Sequence, residues 1–433
     1  MKGDGMEQLL IRSARVVDPA SGRDGVGDIL TEGGAIAGIG NGLHCPPGAR
    51  EIAARGLVAA PGLVDMHVHL RDPGATEKED ILSGCRAAAA GGVTSLLCMP
   101  NTSPPADSPR VIRAIREKAD HADARVYPAA AVSKGLRGAE PCDWRALRDA
   151  GAVALSDDGR PVTDSAVMAA AMKAAPGLGL TVCAHCEDLL LSAGGLLNEG
   201  AASAALGVKG VPAAAEDCGT AREIALAAAY GVPVHICHVS TKNSVAMIRG
   251  AKRRGVRVTA ETAPHYFALT ERELASRDAD YRMSPPLRTE DDRLAVIEGL
   301  RDGTIDAIAT DHAPHTPKEK AGFLTAPNGV VGMETSLAAG IACLVEPGFL
   351  TLAQLLRLMT CAPAEILRLP AGTLREGANA DLVLFDPKET WVVDPAKLHG
   401  KSRNAVFKGR PLTGRVKLTV CRGKAVYDGM PER

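Results

Sequence analysis

The chain has 433 residues, 46% of them hydrophobic and 23% charged, with a formal net charge of −1 and only 3% aromatic side chains. That length supports a large core with an appendage, and the composition is that of an ordinary globular protein. The even charge balance excludes a basic nucleic-acid footprint, and so few rings leave few platforms on which bases could stack. Residues 1–11 include acidic groups and lack a long apolar stretch, so no signal peptide is expected. No apolar run approaches the roughly 20 residues that span a bilayer, so no membrane role is expected. Eleven scattered cysteines, an odd number, fit reduced thiols in a cytoplasm better than a disulfide framework. Cys183 and Cys186 form a C-x-x-C with no second pair nearby, and read as small buried hydrophobes.

In chain order, residues 8–58 carry short β-like runs at 10–17 and 36–39, broken by Gly, Asp and Pro. From about residue 60 apolar strands alternate with amphipathic helical stretches. Strands are expected at 63–69, 93–99, 126–132, 152–156, 180–184, 232–238, 256–262 and 307–310. Helices are expected at 108–122, 163–175, 216–230, 240–254 and 289–302. Several of these open on a Ser or Thr able to cap the first turn, and several close at Gly231, Gly255 or Gly303. Eight βα units in series predict an α/β fold, a TIM-type (β/α)8 barrel over 60–370 rather than a doubly wound open sheet. Short β-like runs return at 381–385, 416–421 and 424–427. Neither flank comfortably holds a core of its own. Residues 1–59 and 371–433 are therefore expected to pair into one small β-sandwich beside the barrel.

In such a barrel the reacting groups sit at the C-terminal ends of the strands. The first strand ends in Asp65-Met66-His67-Val68-His69-Leu70-Arg71, where alternation brings His67 and His69 to one point. Convergent imidazoles suit a zinc-type ion, and Arg71, next on the same alternation, supplies a fork for a carboxylate or phosphate. Strand four runs into Ser156-Asp157-Asp158-Gly159, strand five reaches His185, strand six His238, and strand eight Asp311. A single histidine at a strand end is most often plain hydrogen-bonded structure. Six such residues at five strand ends of one barrel are not explained that way. His44, His121 and His399 fall outside the pattern and read as surface residues. His235, three residues before His238, is turned by alternation towards the helices and reads as a hydrogen-bonded core histidine. His265 and His312 are intermediate candidates for a place behind the ligands.

One catalytic zinc takes three protein groups and a water, fewer than this mouth offers. Two ions about 3.5–4 Å apart would use the whole set. His67 and His69 hold one ion, His185 and His238 the other, a strand-four carboxylate bridges, and Asp311 faces a shared hydroxide. Asp311 then takes and returns a proton. This is machinery for hydrolysing, or closing, an amide.

The motifs that carry these residues are His67-Val68-His69-Leu70-Arg71-Asp72-Pro73-Gly74, Met99-Pro100-Asn101-Thr102, Asp157-Asp158-Gly159 and Ala184-His185-Cys186-Glu187. His238-Val239-Ser240, Ala260-Glu261-Thr262-Ala263-Pro264-His265 and Ala309-Thr310-Asp311-His312-Ala313-Pro314-His315 complete them. Together they resemble the amidohydrolase superfamily and, within it, the class I bacterial dihydroorotases. H-x-H alone marks the superfamily, whereas H-x-H-x-R-D-P-G with M-P-N-T is far more specific. The resemblance runs from Pro61 to Asp386.

It implies reversible cyclisation of N-carbamoyl-L-aspartate to L-dihydroorotate in de novo pyrimidine synthesis, with two Zn2+ per subunit. It implies His67, His69, Asp158, His185, His238 and Asp311 as metal ligands, with Asp311 as general base and acid. Substrate contacts implied are Arg71 and Asn101 on the carboxylate, with His69, Ser284, His315 and the backbone of Asn328 and Gly329, beneath a mobile loop at 316–326. Two departures stand out. Ser284 replaces a frequent asparagine, keeping a donor and an acceptor on a shorter side chain. Asn328 stands where an aromatic is frequent. Many superfamily members bridge their metals with a carboxylated lysine, but no lysine lies between Lys134 and Lys173. The bridge is therefore expected to be aspartate, and the family's spacing to the strand-five histidine selects Asp158 over Asp157. The resemblance admits a homo-oligomer and an association with aspartate carbamoyltransferase. Two other readings are a dihydropyrimidinase- or allantoinase-like enzyme, whose substrates lack the carboxylate that Arg71 and Asn101 await, and a silent scaffold for aspartate carbamoyltransferase. A silent member is expected to lose ligands, and every one is present here.

Overall fold

The computed structural model describes residues 7–430. Eight parallel strands follow one another round a barrel: Leu63–Val68, Val93–Cys98, Arg125–Ala131, Ala154–Ser156, Thr181–Ala184, Val234–Ile236, Val258–Thr262 and Ala307–Ile308. The expected barrel is present, with each strand within a few residues of its expected span. The seam joins the first strand to the eighth. Val68 bridges His312 in parallel, and His69 N donates to His312 O at 2.8 Å. The Asp65 carboxylate reinforces the join, accepting from Thr310 N at 3.0 Å and Thr310 Oγ1 at 2.6 Å.

The barrel interior is filled by Met66, Leu97, Met99, Ala129, Ala154, Cys183, Cys237, Ala307 and Ala309. Small and flexible side chains fill most of that space, with Tyr127 packed against them. Leu367, at the end of helix Cys361–Leu367, joins the same cluster from the N-terminal end, where Thr181 Oγ1 donates to Ile366 O at 2.7 Å. Cys183 and Cys186 are both buried, as small hydrophobes would be.

Helices cover the barrel, and capping follows the expectation in part: Thr289 and Gly231 act as expected, but Asp164 and Thr241 cap in place of Thr163 and Ser240, and Ser108 makes no side-chain cap. Thr289 forms a capping box with Asp292 at the start of Glu290–Arg301, and Thr241 accepts from Ser244 N ahead of Lys242–Arg253. Helix Ile81–Ala90 was not legible as an amphipathic pattern because eight of its ten residues are buried. It is wedged between the barrel and the terminal sheet, so it has almost no polar face.

The two ends of the chain form one hydrogen-bonded sheet of eight strands. Its order is Lys424–Asp428, Pro411–Cys421, Leu382–Val392, Val58–Pro61, Leu9–Asp18, Arg23–Glu32 and Ala35–Gly40, with Arg50–Ala53 also pairing with Leu9–Asp18. The sheet curls round a core that includes Leu9, Ile11, Val16, Ile29, Leu382 and Leu418. The curl brings its edge turns together, so that a Cβ on Gly423 would lie 2.7 Å from Gly34 Cα. Thr419 Oγ1 donates to Ala89 O at 2.6 Å and Arg125 pairs with Asp381 at 2.7 Å, fastening the sheet to the barrel. Residues 393–410 leave this sheet between two of its strands and reach the barrel mouth. Among the described residues no helix is long and apolar enough to cross a membrane.

Candidate active site

At the C-terminal mouth Asp158 lies between two pairs of histidines. Its Oδ2 is 3.2 Å from His67 Nε2 and 3.4 Å from His69 Nε2. Its Oδ1 is 3.3 Å from His185 Nδ1 and 3.4 Å from His238 Nε2. Asp311 Oδ1 approaches His69 Nε2 at 3.1 Å and His67 Nε2 at 3.6 Å. Among the described residues three sets of atoms are close enough to share a cation: His67, His69 and Asp311; Asp158, His185 and His238; and His67, Asp158 and Cys237. The neighbouring Asp157 turns away. It accepts from Val132 N at 2.8 Å, Ser133 N at 3.0 Å and the Ser133 hydroxyl. Arg71, His238 and Asp311 have φ of 60°, 36° and 48°, the left-handed region that costs a side-chain-bearing residue about 1–3 kcal/mol. The turns at these strand ends carry the three side chains into the mouth.

The donors fit divalent cations. His67 Nδ1 lies 2.6 Å from Glu261 Oε1, which fixes that nitrogen as the donor and aims Nε2 into the cluster. His67 Nε2 is buried with no hydrogen-bond partner, although a carboxylate oxygen is 3.2 Å away. A cation between the two atoms satisfies both. His69 Nδ1 is set in the same way by Asn101 Oδ1 at 2.8 Å. Burial pulls the His67 imidazole pKa down, but Asp158 and Glu261 push it well above its ordinary value. Burial likewise opposes charge on His185, yet Asp158 and Glu187 raise it to about 10. Burial would raise Asp158 and Asp311, but the surrounding imidazoles hold Asp158 well below the usual carboxylate range and Asp311 at about 2. The cluster thus favours positive charge, and its imidazole nitrogens and carboxylate oxygens suit a divalent cation.

Above the cluster is a cavity of about 370 Å³ lined by Arg71, Asn101, Ser284, His315, Asn328 and Gly329, together with every proposed ligand except the deeper His67. Arg71 Nε donates to Pro314 O at 3.3 Å, and its Nη2 is 3.4 Å from His315 Nε2. Among the described residues no carboxylate pairs with this guanidinium. His315 is kept neutral, its pKa lowered to about 3 by burial and by Arg71. Its Nε2 donates to Asn328 O at 2.9 Å, which leaves Nδ1 as a buried acceptor without a partner. The loop at 316–326 is tied down. Lys320 Nζ donates to Ala279 O, Arg282 O and Pro327 O at 2.9, 3.1 and 3.0 Å, and burial lowers its pKa to about 8.

Gly159 follows Asp158 with φ of +88°, and a Cβ there would meet Asn101 Nδ2 at 2.8 Å. Gly159→Ala is expected to displace the Asn101 amide and raise KM by about tenfold, with bound metal unchanged. Steady-state kinetics with metal analysis check this; an unchanged KM would show that Asn101 is not held at this contact.

One expectation is corrected. His235 does not face the helices. It shares the inner side with Cys237, its Nδ1 2.9 Å from Thr259 Oγ1 and its Nε2 3.3 Å from Glu261 Oε2. The strand ends at Ile236, and the positive φ of His238 breaks the alternation on which the expectation rested. His312 belongs to the seam, its Nδ1 accepting from Gly332 N at 3.2 Å. His265 is buried edge-on against Tyr266, with its pKa lowered to about 4 by burial. Sequence reasoning missed Glu261 and Glu187, the latter 3.1 Å from His185 Nε2. A carboxylate inside the otherwise uncharged strand Val258–Thr262 was the available signal for Glu261.

The Dihydro-orotase-like family model matches residues 56–244, and an Amidohydrolase family model matches residues 153–427. Dihydroorotase from Geobacter metallireducens is 51% identical over 421 residues, covering 97% of this chain and 99% of that protein. Dihydroorotase from Syntrophus aciditrophicus is 48% identical, with the same coverage of each. Among solved structures, L-hydantoinase (dihydropyrimidinase) from Arthrobacter aurescens superposes with a TM-score of 0.88 at 25% identity, covering 98% of this chain and 97% of that one. Dihydropyrimidinase from Brevibacillus agri gives a TM-score of 0.86 at 26% identity, covering 98% and 95%. The barrel is thus common to several cyclic-amide hydrolases, while half-identity over nearly the full length is found with one group of them: the chain belongs to the dihydroorotase family of amidohydrolases.

Proposed function

We propose that this chain is a cytoplasmic, zinc-dependent dihydroorotase of pyrimidine synthesis, acting from the mouth of a barrel module at 60–370 beside a module built from 1–59 and 371–433. The reaction joins the amide nitrogen of N-carbamoyl-L-aspartate to its side-chain carboxyl carbon and releases water; the reverse reaction opens the ring. His67, His69, Asp158, His185, His238 and Asp311 would hold the divalent cations. Such ions, when bound, polarise a carbonyl and lower the pKa of water towards neutrality. Asp311, ionised and buried, accepts the proton of the attacking water and delivers it to the leaving ring nitrogen. Asn101 acts in two directions, since its Oδ1 orients His69 while its amide NH2 remains available to the substrate. His315 offers a neutral acceptor, and the Asn328–Gly329 backbone faces the ring.

The observation that carries the choice of substrate is Arg71, a partly buried guanidinium at the cavity that makes no ion pair with a carboxylate among the described residues. A partly buried guanidinium with no carboxylate in direct contact is left short of partners, and a ligand carboxylate supplies them through a bidentate, charge-assisted contact. Dihydroorotate has that carboxylate; hydantoin, dihydrouracil and allantoin do not. Turnover of dihydroorotate, hydantoin and allantoin measured side by side tests the reading, and preference for an uncharged ring would sink it. Arg71→Met is expected to raise KM for dihydroorotate by a factor on the order of 100. Near-wild-type kinetics would remove Arg71 from the site.

A further inference from the structure

The segment at 393–410 belongs by sequence to the terminal sheet, yet its middle is buried at the barrel mouth. Asn404 is 3% exposed and uses its side-chain amide on two separate stretches of backbone. Its Oδ1 accepts from His315 N at 3.2 Å, while its Nδ2 donates to Ala313 O at 3.2 Å and to Gly329 O at 3.0 Å. Its own carbonyl accepts from Val331 N at 3.0 Å. The two stretches so joined follow the eighth strand and carry Ala313, His315 and Gly329, all of which line the cavity. Between Ala313 and His315 lies Pro314, whose carbonyl accepts from Arg71 Nε. The strap is also gripped on the other side of the seam. Ser402 Oγ donates to Lys78 O at 2.7 Å, and Lys401 N donates to the Glu79 carboxylate at 3.1 Å.

We infer that Asn404 is a positioning residue for substrate binding, through which the C-terminal strap sets the wall that aims Arg71 at the substrate carboxylate and the His315 acceptor at a donor of the substrate. An asparagine is suited to this because one amide offers an acceptor and two donors in fixed geometry. Gly329, at φ of +144°, packs so closely on Ala313 and His315 that a Cβ there would lie 2.6 Å from Ala313 O. The wall therefore has no slack, and a change at Asn404 is passed to the residues that face the ligand. Asn404 touches none of the proposed metal ligands by hydrogen bond, so the cation cluster stands apart from this effect.

The inference rests on the dihydroorotase reading, and its test separates the two. Asn404→Asp keeps the acceptor towards His315 N but loses the donors to Ala313 O and Gly329 O. Asn404→Ser is milder and keeps one hydroxyl donor. KM and kcat for dihydroorotate, bound metal and the thermal midpoint are measured for the wild type and both variants. Asn404→Asp is expected to raise KM by about tenfold or more, with kcat within about threefold and metal content unchanged, and Asn404→Ser is expected to fall between it and the wild type. If Asn404→Asp fails to fold, the KM of Asn404→Ser decides alone. An active wild type with KM unmoved in the folded variants, or with kcat and metal lost alongside KM, overturns the positioning role only. A wild type inactive on dihydroorotate overturns the functional reading and this inference with it.

Discussion

Asp311→Asn is expected to leave the protein folded and its metals bound while lowering kcat by about 10³-fold or more, within or above the usual range for a lost general acid–base group. The substitution keeps the shape of the side chain and removes its protonation chemistry. Asparagine has the volume of aspartate and keeps an oxygen for the contact that Oδ1 makes with His69 Nε2 at 3.1 Å. What it cannot do is take up a proton and give it back. The carboxylate is ionised and so free to accept a proton, and its Oδ1 lies at the mouth, 3.1 Å from His69 Nε2 and 3.6 Å from His67 Nε2. The loss is therefore expected in kcat rather than KM, because the substrate's carboxylate is gripped elsewhere. Pre-steady-state turnover with metal analysis checks it. Turnover within tenfold of the wild type would refute the role.

The second large effect is a contrast between adjacent residues. Asp158→Ala removes the oxygen pair shared by four imidazole nitrogens, and metal and activity are expected to disappear together. Asp157→Ala is expected to keep bound metal and measurable activity but to lower stability. Asp157 accepts three hydrogen bonds from Val132 and Ser133, at about 1 kcal/mol each for a buried contact, so a loss of about 2–3 kcal/mol is anticipated. Metal content and a denaturant titration of both variants decide the matter. If Asp157→Ala loses the metal and Asp158→Ala keeps it, the bridging role moves by one residue.

Much of the site was legible because the fold places chemistry at predictable points. The alternation of His67 and His69, and the recurrence of polar residues where each apolar run stops, locate the mouth from sequence alone. Periodicity succeeded for helices with one wet face, such as Lys242–Arg253, and failed for Ile81–Ala90, which is dry on nearly all sides. Alternation failed at His235 because it assumes an unbroken strand, and the turn at His238 breaks it. Asn404 was invisible for another reason. Its partners at Ala313 and Gly329 are 91 and 75 residues away, and nothing local marks an asparagine in a connecting segment as part of a pocket wall.

The composite sheet also bears on how the chain is made. Val58–Pro61 sits between Leu9–Asp18 and Leu382–Val392, with Ala59 opposite Leu384. Pro61 and Leu382 are 321 positions apart, 382 less 61. At the roughly 5–20 residues per second of a translating ribosome, the early strands wait tens of seconds for that partner. Throughout that interval the barrel is being assembled beside an unpaired, apolar β edge, the kind of surface that recruits strands from other chains. Premature termination after the barrel would leave the edge open for good, and would remove the strap that reaches the mouth. Chaperone demand during synthesis, and aggregation of chains truncated near residue 380, follow from the same pairing.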